Sequence, residues 1–298
     1  MTSVAPFGRT LTAMITPMAS DGSVDYDGAA TLATYLVDEM RNEGLVLSGT
    51  TGEAPTTTDQ EQERLIRAVR EAVGDRAQIV AGVGTNSTAH TIELATMAER
   101  AGAQGLLIVT PYYSRPAQDA LAAHFTAVAD STGLPALLYD IPVRSGIPIA
   151  TETLLRLARH PRIVGVKDAK GDLAATSHVL ARTDLAYYSG DDMVNLPLYS
   201  LGAVGQISVT AHVVGDRIHE MLTAFTAGRV ADARKIHLDL LPVNVGLFRN
   251  QAAVLTKAAL DMLGLPGGPV RGPLQPATPD ERRQLREDLM AGGVKLPD

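Results

Sequence analysis

The amino-acid sequence predicts an α/β protein, a (β/α)8 (TIM) barrel with a C-terminal helical appendage. The chain has 298 residues, somewhat more than the roughly 250 that such a barrel typically takes. Eight short apolar runs recur along it, and longer amphipathic segments separate them. Near-continuous apolar runs are typical of parallel strands buried on both faces. Their regular alternation with helices indicates one parallel sheet.

Each apolar run has the length of a strand. In chain order, the predicted strands are Leu11–Ile15, Leu45–Leu47, Ile79–Val83, Leu106–Val109, Ala136–Tyr139, Ile163–Val166, Leu185–Tyr188 and Gln206–Val209. The alternative architecture is an open, doubly wound sheet. A dinucleotide-binding version of that sheet is disfavoured, because no Gly-x-Gly-x-x-Gly follows the first run.

The segments between the runs have the features of helices. Asp59–Val73 has acidic residues in its first turn and apolar residues at helical spacing, and it stops at Gly74. These features mark the start, the buried face and the end of an amphipathic helix. Thr88–Ala101 and Gln118–Ser131 follow the same pattern.

From about Val213 onward the pattern is helical only. The predicted tail helices are Asp216–Ala227, Arg229–Leu241, Gln251–Leu263 and Pro279–Ala291. Between the last two, the Gly- and Pro-rich stretch 264–279 cannot form regular helix or strand, so it is predicted to be extended. We therefore expect a catalytic barrel over residues 1–225 and a C-terminal helical domain over residues 226–298.

Composition restricts the possible partners. The net charge is −7 and no basic cluster occurs, which argues against nucleic acid as a partner. The absence of cysteine excludes disulfides, thiolate catalysis and Cys-ligated zinc. The first ten residues lack a signal-peptide core. No run approaches the ~18 apolar residues of a membrane span. We therefore expect a cytoplasmic protein without membrane contacts.

Polar residues concentrate where the predicted strands end. In a barrel of this type, chemistry takes place at the C-terminal ends of the strands. Seven such ends are polar, and together they predict a pocket: Gly49–Glu53, Gly84–Asn86, Thr110–Tyr113, Tyr139–Arg144, Lys167–Asp168, Ser189–Asp192 and Ser208–Thr210.

Lys167 is the most informative residue, because it is the only one of five lysines that ends an apolar strand. Strand alternation puts it on the same face as Gly165 and Ile163. If that face points into the barrel, burial lowers the pKa of the amine and suits it to attack a carbonyl and form an imine. The alternative is a strand-end lysine that forms an ion pair with Asp168 or a nearby glutamate.

Two neighbouring strand ends favour the catalytic alternative. Tyr139 ends the strand next to Lys167, and its phenol could move protons while an imine forms. Thr50 and Thr51 lie between glycines, where hydroxyl and backbone N–H groups could hold a carboxylate. The alternatives are a rim tyrosine with its hydroxyl in water and a tight turn that needs small residues.

Two further candidates lie in the strand-end loops. Arg144 follows Tyr139 by five residues, and its guanidinium is suited to binding a substrate carboxylate. A surface salt bridge is the alternative. Tyr112 and Tyr113 form an aromatic pair after the fourth strand; such pairs also occur in rim or interface packing.

Other chemistries find less support. The seven histidines show no metal-ligand spacing, and no His-Glu-x-x-His occurs, so we expect no metal. The carboxylates of Glu53, Asp191 and Asp192 could suggest glycoside hydrolysis. Their positions at helix starts and in loops favour capping roles instead.

Taken together, these motifs resemble those of the dihydrodipicolinate synthase/N-acetylneuraminate lyase family, from about Gly8 to the C-terminus. The matching motifs are Gly-Thr-Thr-Gly-Glu at 49–53, Thr-Pro-Tyr-Tyr at 110–113, Tyr-x-x-Pro-x-Arg at 139–144, Gly-Val-Lys-Asp at 165–168, Ser-Gly-Asp-Asp at 189–192 and Ile-Ser-Val-Thr at 207–210.

The resemblance implies roles for individual residues. Lys167 would form the Schiff base with pyruvate, and Thr51 with Thr50 would hold the pyruvate carboxylate. Thr50, Tyr139 and Tyr113 would form a proton relay, with Tyr113 reaching in from a neighbouring subunit of a homotetramer, a dimer of dimers. Arg144 would bind the carboxylate of the second substrate. The backbone of Gly190 and Ile207 would line the pocket.

Within the family, two features resemble the synthases more than the lyases. The second strand ends in Gly-Thr-Thr-Gly, where lyases of sialic acid typically carry Gly-Ser-Thr-Gly. Arg144 occupies the position that, in the synthases, selects the second substrate, an aspartate semialdehyde. The implied reaction condenses pyruvate with L-aspartate 4-semialdehyde in lysine and diaminopimelate biosynthesis, without cofactor or metal. The alternative is another pyruvate-dependent aldolase or dehydratase acting on a sugar acid or a hydroxyproline-pathway intermediate. Asp140, Val143 and Gln206 depart from the usual synthase pattern.

The resemblance also implies a regulatory site for lysine. Its residues would be Pro55, Asp59, Gln62, Asn86, His90 and Tyr112. His90 stands where inhibited enzymes carry a glutamate, so it offers no negative charge to the ammonium group of lysine. Asp59 is expected to cap a helix. We therefore expect lysine to inhibit weakly or not at all.

Overall fold

The computed structural model describes residues 4–297, and its sheet is a closed barrel of eight parallel strands in sequence order. The strands are β1 Thr10–Ala13, β2 Gly44–Leu47, β3 Gln78–Gly82, β4 Gly105–Val109, β5 Ala136–Asp140, β6 Ile163–Asp168, β7 Ala186–Ser189 and β8 Gly205–Ser208. Pairing of β8 with β1 closes the barrel. The predicted fold class is thus confirmed.

Helices follow the strands and continue into the C-terminal appendage. They are α1 Tyr26–Asp38, α2 Asp59–Val73, α3 Thr88–Ala101, α4 Gln118–Asp130, α5 Pro142–Ser145, α6 Thr151–Leu157, α7 Leu173–Leu180, α8 Asn195–Leu201, α9 Ala211–Thr226, α10 Val230–Asp239, α11 Leu241–Leu247, α12 Ala252–Met262 and α13 Pro279–Ala291. Within residues 4–297, no helix has the length and hydropathy needed to cross a membrane.

Two tail boundaries differ from the prediction. α9 begins at Ala211, five residues before the predicted start at Asp216, and its backbone departs from helical geometry at Val214. The predicted helix Arg229–Leu241 ends as α10 at Asp239, and a separate α11 follows with Pro242 in its first turn. Proline lacks the N–H that a continuing helix needs and is favoured at a helix start instead.

Apolar side chains form two clusters, one inside the barrel and one between the strands and the helices. Ile163 lies in the outer cluster, and Val164 contacts the inner one. The predicted common face of Ile163, Gly165 and Lys167 is therefore wrong at Ile163. The pairing of β5 with β6 shifts register there, since Ala136 pairs with Ile163 and Leu137 with Gly165. Such a bulge interrupts the two-residue alternation of a strand.

The C-terminal helices pack against one another and against α9. The segment between α12 and α13 is irregular, as predicted, and it crosses close to the barrel. A Cβ at Gly268 would lie 1.8 Å from the carbonyl oxygen of Met18, so only glycine fits this approach. The division into residues 1–225 and 226–298 stays a prediction; it would cut α9 one residue before its end.

Candidate active site

A cleft of about 510 Å³ opens where the loops after β2, β3, β4 and β5 meet. Thr50, Tyr139 and Arg144 line it, each from a different loop or strand end. The C-terminal region contributes Pro273 and Leu274. The structure thus brings three of the predicted site residues to one cavity at the C-terminal ends of the strands.

Lys167 lies beside Tyr139, its register partner on the neighbouring strand. Both side chains are buried, and the Lys167 Nζ is 4.3 Å from the centre of the Tyr139 ring. Within residues 4–297, the amine has no hydrogen bond or ion pair, whereas Asp168 accepts from Thr176 Oγ1 at 2.5 Å and from the Lys170 N–H at 2.9 Å. Pairing of Lys167 with Asp168, the alternative to catalysis, is therefore not observed.

Burial gives the two groups different protonation behaviour. It lowers the pKa of Lys167 to about 8, with the Arg144 charge acting in the same direction and Asp192 opposing it. Burial also raises the pKa of Tyr139 to about 12, against the Arg144 charge and a hydrogen bond with Thr50. Near neutral pH the phenol therefore keeps its proton, while a fraction of the amines is neutral and can attack a carbonyl.

Gly190 leaves the space that the lysine side chain occupies. A Cβ at this position would lie 3.0 Å from Lys167 Cγ and 3.1 Å from Lys167 Cε. Any larger residue would press on the lysine. Ile207 is buried in the inner cluster of the barrel. Gly190 thus lies against Lys167, whereas Ile207 belongs to β8, which is not paired with the strand of Lys167.

The turn after β2 holds Thr50 and Thr51 in a fixed backbone. The Glu53 N–H donates to Thr50 O at 3.2 Å, and the Ala54 N–H donates to Gly49 O at 3.3 Å. Thr51 is buried, and Thr50 is half-buried at the cleft. The turn therefore presents hydroxyl and N–H groups beside Tyr139, as a carboxylate-binding turn requires.

Arg144 and Tyr113 are both exposed, but their positions differ. Arg144 lines the cleft from α5, and within residues 4–297 no carboxylate forms an ion pair with it. The surface salt bridge considered for Arg144 is therefore not observed. Tyr113 is 93% exposed and has a positive φ of 71°, and the cleft of its own chain is lined by Tyr112 instead.

The six residues implied in lysine regulation all line the same cleft. His90 Nε2 lies 3.0 Å from the Asp59 carboxylate. The helix-capping role expected for Asp59 is wrong, because Thr58 is the N-cap of α2 and forms a capping box with Glu61. The Asp59 side chain instead faces His90.

The three carboxylates that were expected to act as caps have different roles. Asp191 is a cap, since it accepts from the Met193 N–H. Asp192 is buried and accepts from the N–H groups of Val209 and Thr210 at 2.9 and 3.0 Å, which holds the end of β8. Glu53 forms a buried ion pair instead.

That ion pair joins Glu53 Oε1 to Lys257 Nζ at 2.6 Å. Sequence reasoning missed it, because the partners are 204 residues apart. The one available sequence signal is that Lys257 interrupts an otherwise apolar stretch of its helix, Ala-Ala-Val-Leu-Thr-Lys-Ala-Ala-Leu.

Fold and site together define an enzyme of the (β/α)8-barrel class with a buried amine at the end of its sixth strand. The model of the dihydrodipicolinate synthetase family matches residues 6–292. The chain belongs to this family.

Relatives are similar over nearly the whole chain. A protein of Acidothermus cellulolyticus named 4-hydroxy-tetrahydrodipicolinate synthase is 63% identical over 97% of this chain and 94% of its own. A Streptomyces coelicolor protein named 4-hydroxy-tetrahydrodipicolinate synthase 2 is 60% identical over 99% and 98%. The structure of DHDPS from Cyanidioschyzon merolae with lysine bound superposes with a TM-score of 0.95 at 40% identity, covering 97% of this chain and 99% of that one.

Proposed function

We propose that this enzyme is a class I aldolase that condenses pyruvate with L-aspartate 4-semialdehyde to give 4-hydroxy-tetrahydrodipicolinate, in lysine and diaminopimelate biosynthesis. The observation that carries the proposal is the buried Lys167 amine beside Tyr139, which has no ion pair within the described residues 4–297. Relatives that share at least 60% of their residues with the chain carry the name of this synthase. They favour this reaction over that of a sugar-acid or hydroxyproline-pathway aldolase.

The chemistry follows from the two buried groups. The neutral Lys167 amine attacks the pyruvate ketone, and the resulting carbinolamine loses water while Tyr139 supplies and recovers protons. The cationic imine nitrogen withdraws electrons from the methyl carbon, which loses a proton to give an enamine. The enamine carbon attacks the aldehyde of the semialdehyde. The semialdehyde amine then adds to the imine carbon, and the bond to Lys167 breaks.

The two substrate carboxylates bind at separate places in the cleft. Thr50 and Thr51 hold the pyruvate carboxylate through hydroxyl and N–H groups. Arg144 binds the carboxylate of the semialdehyde, because its guanidinium lines the cleft and has no carboxylate partner of its own within residues 4–297. The backbone of Gly190 and Ile207 forms the wall next to the lysine.

A homotetramer, assembled as a dimer of dimers, completes the site. Tyr113 is exposed and turned away from its own cleft, so it is placed to enter a neighbouring one. Assembly is a property of the individual enzyme, since one structural relative, 32% identical with a TM-score of 0.92, is described as a monomeric dihydrodipicolinate synthase variant.

Arg144→Ala should weaken use of the semialdehyde more than use of pyruvate. Loss of a hydrogen bond between charged groups costs about 1.5–3 kcal/mol, so KM for the semialdehyde should rise about tenfold or more. Steady-state kinetics with each substrate varied in turn would measure the difference.

Arg100→Ala is the matched control, because Arg100 is exposed at the last turn of α3 and has no ion pair within residues 4–297. This variant should leave both KM values unchanged. An equal loss for the two substrates in Arg144→Ala would show that Arg144 supports the loop and does not select the acceptor.

A further inference from the structure

We infer that the buried Glu53–Lys257 ion pair is a positioning device that lets the C-terminal helices hold the pyruvate-binding turn. The pair connects the residue that directly ends the Thr50–Gly52 turn with the middle of α12. The inference rests on the proposed function, since it assigns the pair to the binding of pyruvate at that turn.

The pair is buried, and both charged groups have additional hydrogen-bond partners. The side chains of Lys257 and Glu53 are 3% and 1% exposed, and Nζ and Oε1 are 2.6 Å apart. The second carboxylate oxygen of Glu53 accepts from the Arg271 N–H at 2.8 Å, and Lys257 also donates to Pro269 O at 2.7 Å. Each charge therefore has partners on the C-terminal segment, and the Glu53 side chain has one orientation that satisfies both oxygens.

The backbone at Glu53 shows why such an anchor is needed. Its φ of 55° lies in the left-handed region, which a residue with a side chain adopts only when its surroundings impose it. At the neighbouring residue, Thr16 Oγ1 in the segment after β1 donates to Gly52 O at 2.7 Å. The C-terminal end of the turn is thus held both from the segment after β1 and by the Glu53 carboxylate.

Arg271 extends this anchor to the start of α2. Its guanidinium donates to both carboxylate oxygens of Glu61, at 2.6 and 2.8 Å, and to Thr56 O at 2.8 Å. Arg271 therefore connects the irregular segment before α13 to residues 53–61 in two ways. Its backbone N–H binds Glu53, and its side chain binds Thr56 and Glu61. Pro273 and Leu274, just beyond Arg271, line the cleft with Thr50.

Stability alone is a weak reason for this arrangement. Replacement of a buried ion pair by apolar residues of similar volume is often neutral or stabilising. An ion pair fixes the direction and the distance between its two side chains, which an apolar contact does not. Only Gly52 separates Glu53 from Thr51 in the sequence, so a fixed Glu53 also holds the turn in place. We therefore place Glu53, Lys257 and Arg271 among positioning residues that act through the turn and do not touch substrate.

The test is Glu53→Gln, which keeps the side-chain shape and removes the charge. The readout is the pyruvate concentration that gives half-maximal borohydride trapping at Lys167, which requires no second substrate. We expect this concentration to rise about tenfold or more, because a misplacement on the order of 1 Å can cost a reaction about 100-fold. Labelling at saturating pyruvate should still reach Lys167. Arg271→Met should shift the half-maximal concentration in the same direction, and it leaves no buried charge unpaired.

Arg249→Met provides the matched control. Arg249 forms an ion pair with Asp288 at 2.9 Å within the C-terminal appendage, and neither of these two residues lines the cleft. The Arg249→Met variant should have a lower melting temperature and an unchanged half-maximal pyruvate concentration. If Glu53→Gln and Arg271→Met behave like Arg249→Met, the ion pair only stabilises the fold and the inference is wrong. Absence of trapping in the unaltered enzyme would contradict the proposed function instead, before any variant is compared.

Discussion

Replacement of Lys167 by alanine should abolish condensation. Without the amine no imine can form, so the covalent route is lost. The rate should fall on the order of 10⁴-fold or more, as expected when a reacting group positioned by the enzyme is removed. Lys167→Arg should not restore activity, because a guanidinium stays protonated. Initial rates with both substrates at saturation would measure the loss.

Trapping identifies the reacting amine independently of turnover. Pyruvate with borohydride should add a stable mass at Lys167 and at no other lysine, as read by peptide mass mapping. Lys257 is also buried, but it forms an ion pair with Glu53, and Lys170 forms one with Asp140 at 3.2 Å. Each of these two amines is engaged by a carboxylate, whereas the Lys167 amine has no such partner within residues 4–297. Labelling at Lys170, or none at all, would refute the mechanism.

The rate of trapping should also depend on pH in a defined direction. Burial lowers the pKa of Lys167 to about 8, and the neutral amine is the attacking species. The initial rate of imine formation should therefore rise with pH up to about 8 and level off above it. Lys235→Met, at an exposed ion pair on α10, should keep the same profile. A profile that is flat from pH 6 to 9 would show that Lys167 does not control the step.

The fold and most of the site could be predicted from local sequence. The apolar runs report burial on both faces, and the residues that follow them must meet at one end of a parallel barrel. This is why Lys167, Tyr139 and Thr50 could be brought together without coordinates. The same reasoning placed Tyr139 and Lys167 on adjacent strands, and the structure pairs them in register.

The features that escaped prediction depend on contacts distant in sequence. The bulge in β6 was hidden because Ile163 and Val164 are both apolar, so neither reveals which face it occupies. Glu53 looked like a cap because its partner lies 204 residues away. Asp59 also looked like a cap, and the structure gives that role to its neighbour Thr58. Side-chain charge alone does not distinguish a cap from an ion pair.

Tyr113 is the proposed site residue that a single chain does not account for. It is 93% exposed, and its positive φ of 71° is unfavourable for a residue with a bulky side chain. Val143, on α5, is 86% exposed. Strained backbone and exposed apolar side chains at a site rim are typical of surfaces that contact a partner. Tyr113→Phe should therefore remove most of the activity without altering the cleft of its own chain.

Subunit mixing tests whether Tyr113 acts across a subunit boundary. Alone, Tyr113→Phe enzyme should retain little activity and Lys167→Ala enzyme none. In a mixed dimer, the subunit that keeps Lys167 would receive an intact Tyr113 from its partner. A two-fold interface exchanges the same residues in both directions, so one of the two sites in a mixed dimer works. Random pairing of equal amounts makes about half of the dimers mixed, so about a quarter of the activity should return.

The control pair is Lys167→Ala mixed with Tyr139→Phe. Tyr139 and Lys167 contact each other within one chain, so every site in this mixture carries one defect and no activity should return. Recovery in the first mixture and not in the second would establish a shared site. Failure of both mixtures would show that Tyr113 does not act across the subunit boundary, and a fully active monomer by light scattering would remove the need for a dimer.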